Sequence, residues 1–222
     1  MQYSSPLVIE TRSPVTAAII WLHGLGSNGY DFEPIVPQLR LPSSLGIRFV
    51  FPHAPQMPVT INGGYVMPAW YDILDMKIDR KVDTEQLMAS ANFIQTLIDT
   101  EIESGVNSQR IILAGFSQGG AVGYHAALTY SQPLGGLIAM STYFATSNCI
   151  ELNNANRSLP ITIFHGTEDS VVDESLGRLA ADELLTMGFS PEFQTYTMAH
   201  TVCLKEVDAI SNWIKHILSA NV

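Results

Sequence analysis

Hydrophobic residues occur along this chain in short continuous runs, separated by polar stretches that contain glycine or proline. Runs without polar alternation indicate strands that are covered on both faces, as in a parallel sheet flanked by helices. The runs span residues 17–22, 47–51, 110–114, 136–140 and 161–165. We predict that they form a mostly parallel central sheet.

Between these runs, the apolar residues change to helical spacing. One helix face carries Leu87, Ala91, Ile94, Ile98 and Ile102, and a face near the end of the chain carries Cys203, Val207, Ile210, Ile214 and Ile217. Asp83, with Gln86 three positions on, is a candidate capping box for the first helix, and Gly105 a candidate terminator. Alternating strands and helices predict an α/β sandwich with helices on both faces of the sheet.

One stretch, residues 52 to about 83, breaks this alternation. It contains four prolines and a Gly63-Gly64 pair, yet it is too apolar for a solvated loop. Its apolar and aromatic residues are Met57, Val59, Ile61, Tyr65, Val66, Met67, Trp70, Tyr71, Leu74 and Met76. Long excursions in compact domains are often functional. Both a substrate groove and a plug at the edge of the core are consistent with this composition.

The strongest chemical signal is the sequence Gly-Phe-Ser-Gln-Gly at residues 115–119. It follows the predicted strand 110–114 and precedes a helix-compatible segment, residues 120–130. A serine between two glycines at such a strand-to-helix turn is the nucleophile elbow, in which the glycines avoid clashes and the hydroxyl projects from the sheet edge. We therefore predict that Ser117 is a catalytic nucleophile.

On this architecture, an acid and then a histidine follow the serine in the chain. Asp169 comes just after the predicted strand 161–165, and it is favoured over its neighbour Glu168. His200 lies in a turn after the strand-like stretch 192–196, whereas His216 falls within the amphipathic helix near the end of the chain. We predict that Asp169 and His200 complete the triad.

The tetrahedral intermediate of acyl transfer needs hydrogen-bond donors for its oxyanion. The backbone N–H after the nucleophile belongs to Gln118. A second donor usually comes from the loop after an early strand. Here the glycine-rich turn of residues 23–26 follows the predicted strand 17–22, and Leu25 lies within it. We predict an oxyanion hole formed by Leu25 and Gln118.

Composition limits the number of domains and the kinds of partner and cofactor that we expect. The 222 residues are 46% hydrophobic, which suits a single domain over residues 1–222. The net charge of −10, without a basic block, argues against nucleic acid or an anionic membrane surface as partner. We find no leader sequence, membrane-spanning run, metal-ligand spacing or nucleotide-binding loop, so we expect a cytoplasmic protein without metal or cofactor. Cys149 and Cys203 are expected to be reduced and partly buried.

Taken in order, these motifs resemble the carboxylesterase and acyl-protein thioesterase group of α/β-hydrolases, which also includes enzymes described as lysophospholipases. The likeness covers nearly the whole chain. It rests on residues 21–26, 51–55, 58–60, 69–72, 112–120 and 165–169, and on His200. The resemblance implies an α/β-hydrolase fold without a large cap domain. It also implies the same triad and oxyanion hole.

The resemblance further implies that the excursion at residues 52–83 contributes to a shallow acyl groove. We expect four of its residues at the substrate, namely Trp70, Met67, Tyr65 and Val59. Two positions depart from the usual pattern of the group, because Ser27 stands where many members have Asp and Thr201 where many have Ser. Neither departure affects the predicted reaction class.

The sequence thus predicts a serine hydrolase that cleaves carboxylic esters and acyl thioesters through an acyl-enzyme on Ser117. The acyl donor is left open, with an acylated protein and a lysophospholipid as candidates. Homodimerisation through the excursion is a further expectation. An alternative is a non-catalytic acyl-binding module of the same fold, which would bind ligand without covalent labelling.

Overall fold

The described residues of the computed structural model, 2–75 and 81–220, contain a seven-stranded sheet and a separate two-stranded hairpin. In chain order the strands are β1 (Leu7–Glu10), β2 (Ala17–Leu22), β3 (Ile47–Phe51), β4 (Gln56–Val59), β5 (Tyr65–Pro68), β6 (Ile111–Phe116), β7 (Gly136–Met140), β8 (Ile161–Gly166) and β9 (Glu192–Tyr196). The sheet order is β1-β3-β2-β6-β7-β8-β9, with β1 antiparallel to β3 and the other neighbours parallel. The predicted parallel sheet is confirmed.

Helices cover both faces of this sheet. They are α1 (Ile35–Gln38), α2 (Thr84–Glu103), α3 (Gln118–Thr129), α4 (Glu174–Thr186) and α5 (Leu204–Ala220). Buried residues of α2, α3 and α4 form one hydrophobic core, and those of α1 and α5 form a second core on the opposite face. The central strands β2, β6, β7 and β8 bury both sets of their side chains between these two layers, which explains the continuous apolar runs.

Helix α2 begins and ends where the sequence predicts. The Asp83 carboxylate accepts a hydrogen bond from the Gln86 backbone N–H at 3.0 Å, and Gly105, with φ of 100°, follows the last turn. The reciprocal half of a capping box does not form. The Gln86 side chain accepts from the Asp72 backbone N–H instead, which ties the excursion to the start of α2.

The excursion contains the antiparallel hairpin β4–β5, which pairs Met57 with Met67 and Val59 with Tyr65. Neither this hairpin nor the edge strand β1 is evident from the sequence, because both are four-residue strands of mixed exposure. Met76, part of the predicted apolar set, lies outside the described residues.

The cysteines differ from expectation in one respect. Both are free thiols, but Cys149 is exposed, so the prediction of partial burial is wrong for Cys149 because it lies on a surface loop after β7. Cys203 is of intermediate burial and immediately precedes α5. No helix among residues 2–75 and 81–220 has the length and apolar character needed to cross a bilayer.

The topology brings several strand ends together. Strands β2, β6, β7, β8 and β9 are consecutive in the sheet and parallel, so their carboxyl ends meet at one edge. The chain segments that leave these ends are the turns after β2, β6, β8 and β9, which carry the predicted chemistry. In open α/β sheets this carboxyl edge is where ligands bind.

Candidate active site

Ser117 lies in the turn between β6 and α3. Its backbone has φ of 54° and ψ of −121°, a conformation that side chains rarely adopt. A Cβ on Gly115 would lie 2.5 Å from the Gly119 carbonyl oxygen, and one on Gly119 would lie 2.5 Å from the His23 carbonyl oxygen. Both glycines are therefore required sterically, as the nucleophile elbow predicts.

Hydrogen bonds hold the strained turn on both sides. The Ser117 backbone N–H donates to the Met140 carbonyl at the end of β7, at 2.9 Å. The Thr142 hydroxyl donates to the Ser117 carbonyl at 2.6 Å. Such unusual backbone conformations cost about 1–3 kcal/mol and persist where the surroundings determine them. Strand β7 and the segment after it therefore fix the direction of the serine hydroxyl.

The three predicted triad side chains form one hydrogen-bonded chain. The Ser117 hydroxyl lies 3.0 Å from His200 Nε2, and His200 Nδ1 lies 2.7 Å from an Asp169 carboxylate oxygen. Ser117 and Asp169 are buried, at 8% and 6% exposure, whereas Glu168 is exposed. The His200 ring also packs against Phe116, with centroids 4.7 Å apart.

Asp169 is held as a carboxylate. Its other oxygen accepts hydrogen bonds from the backbone N–H groups of Val171 and Val172, at 2.9 and 2.8 Å. Burial by itself raises the pKa of Asp169, but these bonds and the hydrogen bond from His200 outweigh it and leave the pKa below its ordinary value. An ionised Asp169 orients the His200 ring with Nδ1–H toward the carboxylate and leaves Nε2 to accept a proton from Ser117.

The turn after β2 approaches the nucleophile closely. A Cβ on Gly24 would lie 3.2 Å from the Phe116 ring and 3.4 Å from the Ser117 Cβ. Leu25 and Gln118 both line the cavity beside Ser117. Beyond them, the Gly26 N–H donates to the Pro68 carbonyl at the end of β5, so the hairpin also supports this turn.

His23 stabilises the same turn as a neutral ring. It is fully buried, and burial lowers its pKa to about 4. Its Nε2 accepts from the Ala54 backbone N–H at 3.0 Å, so the proton resides on Nδ1, which donates to the Gly24 carbonyl at 2.7 Å. This histidine therefore ties the turn to the segment after β3.

Trp70 and Gln118 connect the excursion to the elbow. The Gln118 side chain accepts from the Trp70 backbone N–H at 2.8 Å and donates to the Tyr71 carbonyl at 2.6 Å. The Trp70 indole N–H donates to the His23 carbonyl at 2.8 Å. The turn after β2, the excursion and the first residue of α3 thus form one hydrogen-bonded unit, which we call the Trp70 clamp.

A cavity of about 530 Å³ opens at Ser117. One flank is apolar, and its residues pack with the core formed by α2, α3 and α4; they are Leu25, Ile61, Ile73 and Tyr143. The opposite flank packs with the core of α1 and α5 and includes Phe32, Phe116 and Val202, with Asp31 beside them. We call these the acyl flank and the His200 flank.

The four residues predicted at the substrate do not line this cavity. Trp70 and Val59 are fully buried, because Trp70 is held in the clamp and Val59 packs into the core. Contact of either residue with substrate stays a prediction. Tyr65 is 69% exposed, and Met67 contacts Asn62, whose side-chain amide nitrogen is 3.3 Å from the Met67 sulfur. The excursion reaches the cavity through Ile61 and Ile73 instead.

The sequence analysis did not name several other residues that line the cavity. Most of them lie at or after the carboxyl ends of parallel strands, which is the rule that located the triad. Tyr143 follows the carboxyl end of β7, and Val171 follows Asp169 after β8, so both leave the catalytic edge of the sheet. Phe116 is the last residue of β6. Asp31 and Phe32 lie in a short helical turn six to seven residues after the turn at Leu25, for which the sequence carries no comparable signal.

A parallel sheet with helices on both faces, a serine in a strained strand-to-helix turn and a histidine hydrogen-bonded between that serine and a carboxylate define a serine hydrolase with the α/β-hydrolase fold. In the described residues, no large cap domain covers the sheet edge. The predicted fold class is confirmed.

The chain belongs to the phospholipase/carboxylesterase family, whose model matches residues 4–218. It is 37% identical over 220 residues to acyl-protein thioesterase 1 of Neurospora crassa. This alignment covers 94% of this chain and 90% of the relative. Crystal structures of Arabidopsis thaliana SOBER1 and of Zea mays acyl-protein thioesterase 2 superpose with TM-scores of 0.88 and 0.86, at 33% and 29% identity. They cover 92% and 97% of this chain and all of their own. The protein is a hydrolase of esters and thioesters.

Proposed function

We propose that this protein removes acyl groups from acylated protein thioesters, through an acyl-enzyme formed on Ser117. The observation that carries the proposal is the chain of hydrogen bonds from Ser117 through His200 to Asp169, set beside an apolar flank. The similarity to acyl-protein thioesterases supports the substrate class. The proposed steps use side-chain and backbone groups of this chain alone.

In the first half of the reaction, the Ser117 oxygen attacks the thioester carbonyl while His200 Nε2 accepts its proton. The backbone N–H groups of Leu25 and Gln118 are proposed to donate to the resulting oxyanion. When the intermediate collapses, the carbon–sulfur bond breaks and His200 returns the proton to the leaving sulfur. Asp169 stabilises the protonated ring throughout.

In the second half, water takes the place of the leaving thiol. His200 accepts a proton from this water, and its oxygen attacks the acyl carbonyl to form a second tetrahedral intermediate at the same oxyanion hole. Collapse returns the proton to the Ser117 oxygen and releases the fatty acid. The net reaction consumes one water and yields an acid and a thiol.

The acyl chain is proposed to lie along the acyl flank, between Leu25, Ile61, Ile73 and Tyr143. Burial of apolar surface there stabilises binding by roughly 25 cal/mol per Å². A lysophospholipid presents the same ester and acyl chain, and the family description includes phospholipases. Homodimerisation and a cytoplasmic location stay predictions from the sequence.

The test compares wild type with Ser117→Ala on two substrate sets: an S-octanoyl cysteine peptide, and p-nitrophenyl esters from acetate to palmitate. We expect Ser117→Ala to lose about 10⁴-fold or more in kcat, because the nucleophile is absent. Ser190→Ala, at an exposed serine before β9, is the matched control and should retain activity. Thermal unfolding checks that each variant is folded.

Three outcomes would count against the proposal, the third of them measured with lysophosphatidylcholine as an additional substrate. Full activity in purified Ser117→Ala would exclude the acyl-enzyme on that residue. A folded wild type that binds acyl ligands but hydrolyses neither substrate set, and that a fluorophosphonate does not label, would instead support the acyl-binding module. A preference for lysophosphatidylcholine over the acyl peptide would favour the lysophospholipase alternative.

A further inference from the structure

The two flanks of the cavity differ in charge as well as in packing. The acyl flank presents Ile61, Ile73 and Tyr143, which belong to or pack against one hydrophobic core. The His200 flank includes a carboxylate, Asp31, and the described residues that line the cavity contain no lysine or arginine. The net charge of the whole chain is −10, so few lysine or arginine side chains of the protein itself are present to compete with a positively charged ligand for this carboxylate.

The position of Asp31 is fixed by the turn that carries it. One carboxylate oxygen accepts from the Ser27 hydroxyl at 2.5 Å and from the Asn28 backbone N–H at 3.3 Å, as part of a capping box. The other oxygen has no hydrogen-bond partner or ion pair within residues 2–75 and 81–220. Asp31 is exposed, so this oxygen is open to a ligand at the cavity mouth.

The leaving group lies on this side of Ser117. His200 Nε2 must deliver its proton to the leaving sulfur, so the leaving group is next to the His200 ring. That ring packs on Phe116, which in turn lies 5.8 Å from Phe32, centroid to centroid. Phe32 directly follows Asp31, and both residues line the cavity, so we place this carboxylate on the leaving-group side rather than on the acyl flank.

We infer that Asp31 selects substrates by the charge of the leaving group, favouring acylated cysteines whose neighbouring residues are lysine or arginine. The inference rests on the proposed thioesterase function and adds its substrate class. The same carboxylate disfavours thiols that carry negative charge. Ser27 contributes by holding Asp31 through a hydrogen bond and adds no charge of its own.

The expected effect is moderate because Asp31 is exposed to solvent. Two unit charges about 6 Å apart in water-like surroundings change a binding constant by roughly threefold. A comparison of a positive with a negative leaving group includes attraction in one case and repulsion in the other, so we expect about a tenfold preference. Salt at 0.5 M should reduce the preference to about twofold, since exposed charges are screened.

The test uses three S-octanoyl peptides of equal length. In the first, the acylated cysteine lies between two lysines, in the second between two glutamates and in the third between two glutamines. The kcat/KM of each is measured for wild type, for Asp31→Asn and for Glu33→Gln. Asparagine keeps an acceptor for Ser27 and Asn28, and thermal unfolding checks that the turn is intact. Glu33 is the matched control, because it is an exposed carboxylate two residues away that does not line the cavity.

We expect wild type and Glu33→Gln to prefer the lysine peptide over the glutamate peptide about tenfold, and Asp31→Asn to lose most of that preference. Equal rates on all three peptides in wild type, or a preference that survives in Asp31→Asn, would overturn the inference while the proposed function stands. A preference lost equally in Glu33→Gln would assign the effect to the overall charge and overturn it too. Failure to hydrolyse any of the three peptides would contradict the proposed function itself, and the inference with it.

Discussion

The catalytic edge of the sheet and the hairpin β4–β5 border the same cavity but are built in opposite ways. At the edge, a Cβ on Gly119 would collide with the His23 carbonyl, and Ser117 is held in a strained conformation. At the hairpin tip, Gly63 and Gly64 have no described atoms within 4 Å of the position a Cβ would take, and both adopt positive φ. Close packing determines the first region, and local turn preference determines the second.

This difference shows how the site divides its tasks. At the edge, the strained backbone of Ser117 would relax without the elements packed around it, so those elements must be rigid. The hairpin is tied to the edge by the bond from the Gly26 N–H to the Pro68 carbonyl, and the Trp70 clamp, directly after the hairpin, adds further bonds. Packing against the core therefore fixes the positions of the catalytic groups. The conformation of the hairpin, which shapes the acyl flank, depends less on that packing.

The largest expected effect compares glycines from the two regions. Gly119→Ala should lower the free energy of unfolding by about 3 kcal/mol or more, since backbone on both sides must shift. Gly63→Ala should cost only about 1 kcal/mol, from the positive φ alone. Urea unfolding of both variants measures the difference. Similar losses in the two would show that the elbow is not the more constrained region.

The next effect concerns a buried carboxylate at the catalytic edge. Glu206 lies in the first turn of α5, is fully buried, and neither carboxylate oxygen has a hydrogen-bond partner in the described part of the chain. Burial raises the pKa of Glu206 to about 8, and the nearby Cys203 backbone N–H opposes this only in part. The unfolded chain ionises near 4.5, so it holds fewer protons than the folded chain between pH 4.5 and 8, and stability falls as pH rises through that window.

Glu206→Gln removes this titration. At pH 6 we expect the free energy of unfolding of the variant to exceed that of wild type by about 2 kcal/mol, whereas at pH 4, where the glutamate is mostly protonated in both states, the two should be nearly equal. Urea unfolding at both pH values provides the measurement. Asp208→Asn, at an exposed position on the same helix, is the control. An advantage of Glu206→Gln that is the same at pH 4 and pH 6 would contradict the burial explanation.

A third variant removes one hydrogen bond of the Trp70 clamp, which connects the excursion to the catalytic edge. Trp70→Phe keeps a buried ring but removes the indole N–H that donates to the His23 carbonyl. We expect kcat to fall about tenfold with little change in KM, because loosening the Leu25 turn weakens the oxyanion donors more than substrate binding. Steady-state kinetics on p-nitrophenyl butyrate would measure both constants.

The control for the clamp is Trp213→Phe, which makes the same chemical change in a buried residue of α5. Trp213 packs near Gly136, at the amino end of β7 and away from the catalytic edge. It should lower stability without changing kcat. An equal loss of kcat in both variants would indicate a general effect of core disruption rather than a role for the clamp.

The smallest effect compares two hairpin-region residues. Ile61→Ala should raise the KM for a decanoyl ester about fivefold and leave the acetyl ester unaffected, because Ile61 lines the acyl flank. Tyr65→Ala should change either value by less than about twofold, since Tyr65 is exposed and does not line the cavity. A larger effect at Tyr65 would restore the sequence prediction that this residue contacts the acyl chain.

Much of the catalytic edge is readable from the sequence for a physical reason. The elbow needs small residues at 115 and 119 whatever surrounds it, and a parallel sheet places the turns after β6, β8 and β9 at one edge. That placement predicts Asp169 and His200. In the structure, His200 lies within hydrogen-bond distance of both Asp169 and Ser117. The excursion offers no such rule, because side-chain direction in short strands and irregular turns depends on distant contacts.

What the sequence by itself determined is therefore the five strands that its continuous apolar runs mark, helices α2 and α5, and the serine, acid and histidine at the carboxyl edge, since apolar periodicity and turn sterics are local properties. Only the tertiary structure decided that Trp70 is held in the clamp, that Ile61 and Tyr143 line the cavity, and that Asp31 lines it too. These assignments depend on partners far apart in the chain, as with Trp70 and Gln118, 48 residues apart. No local pattern encodes which of several apolar side chains meets such a partner.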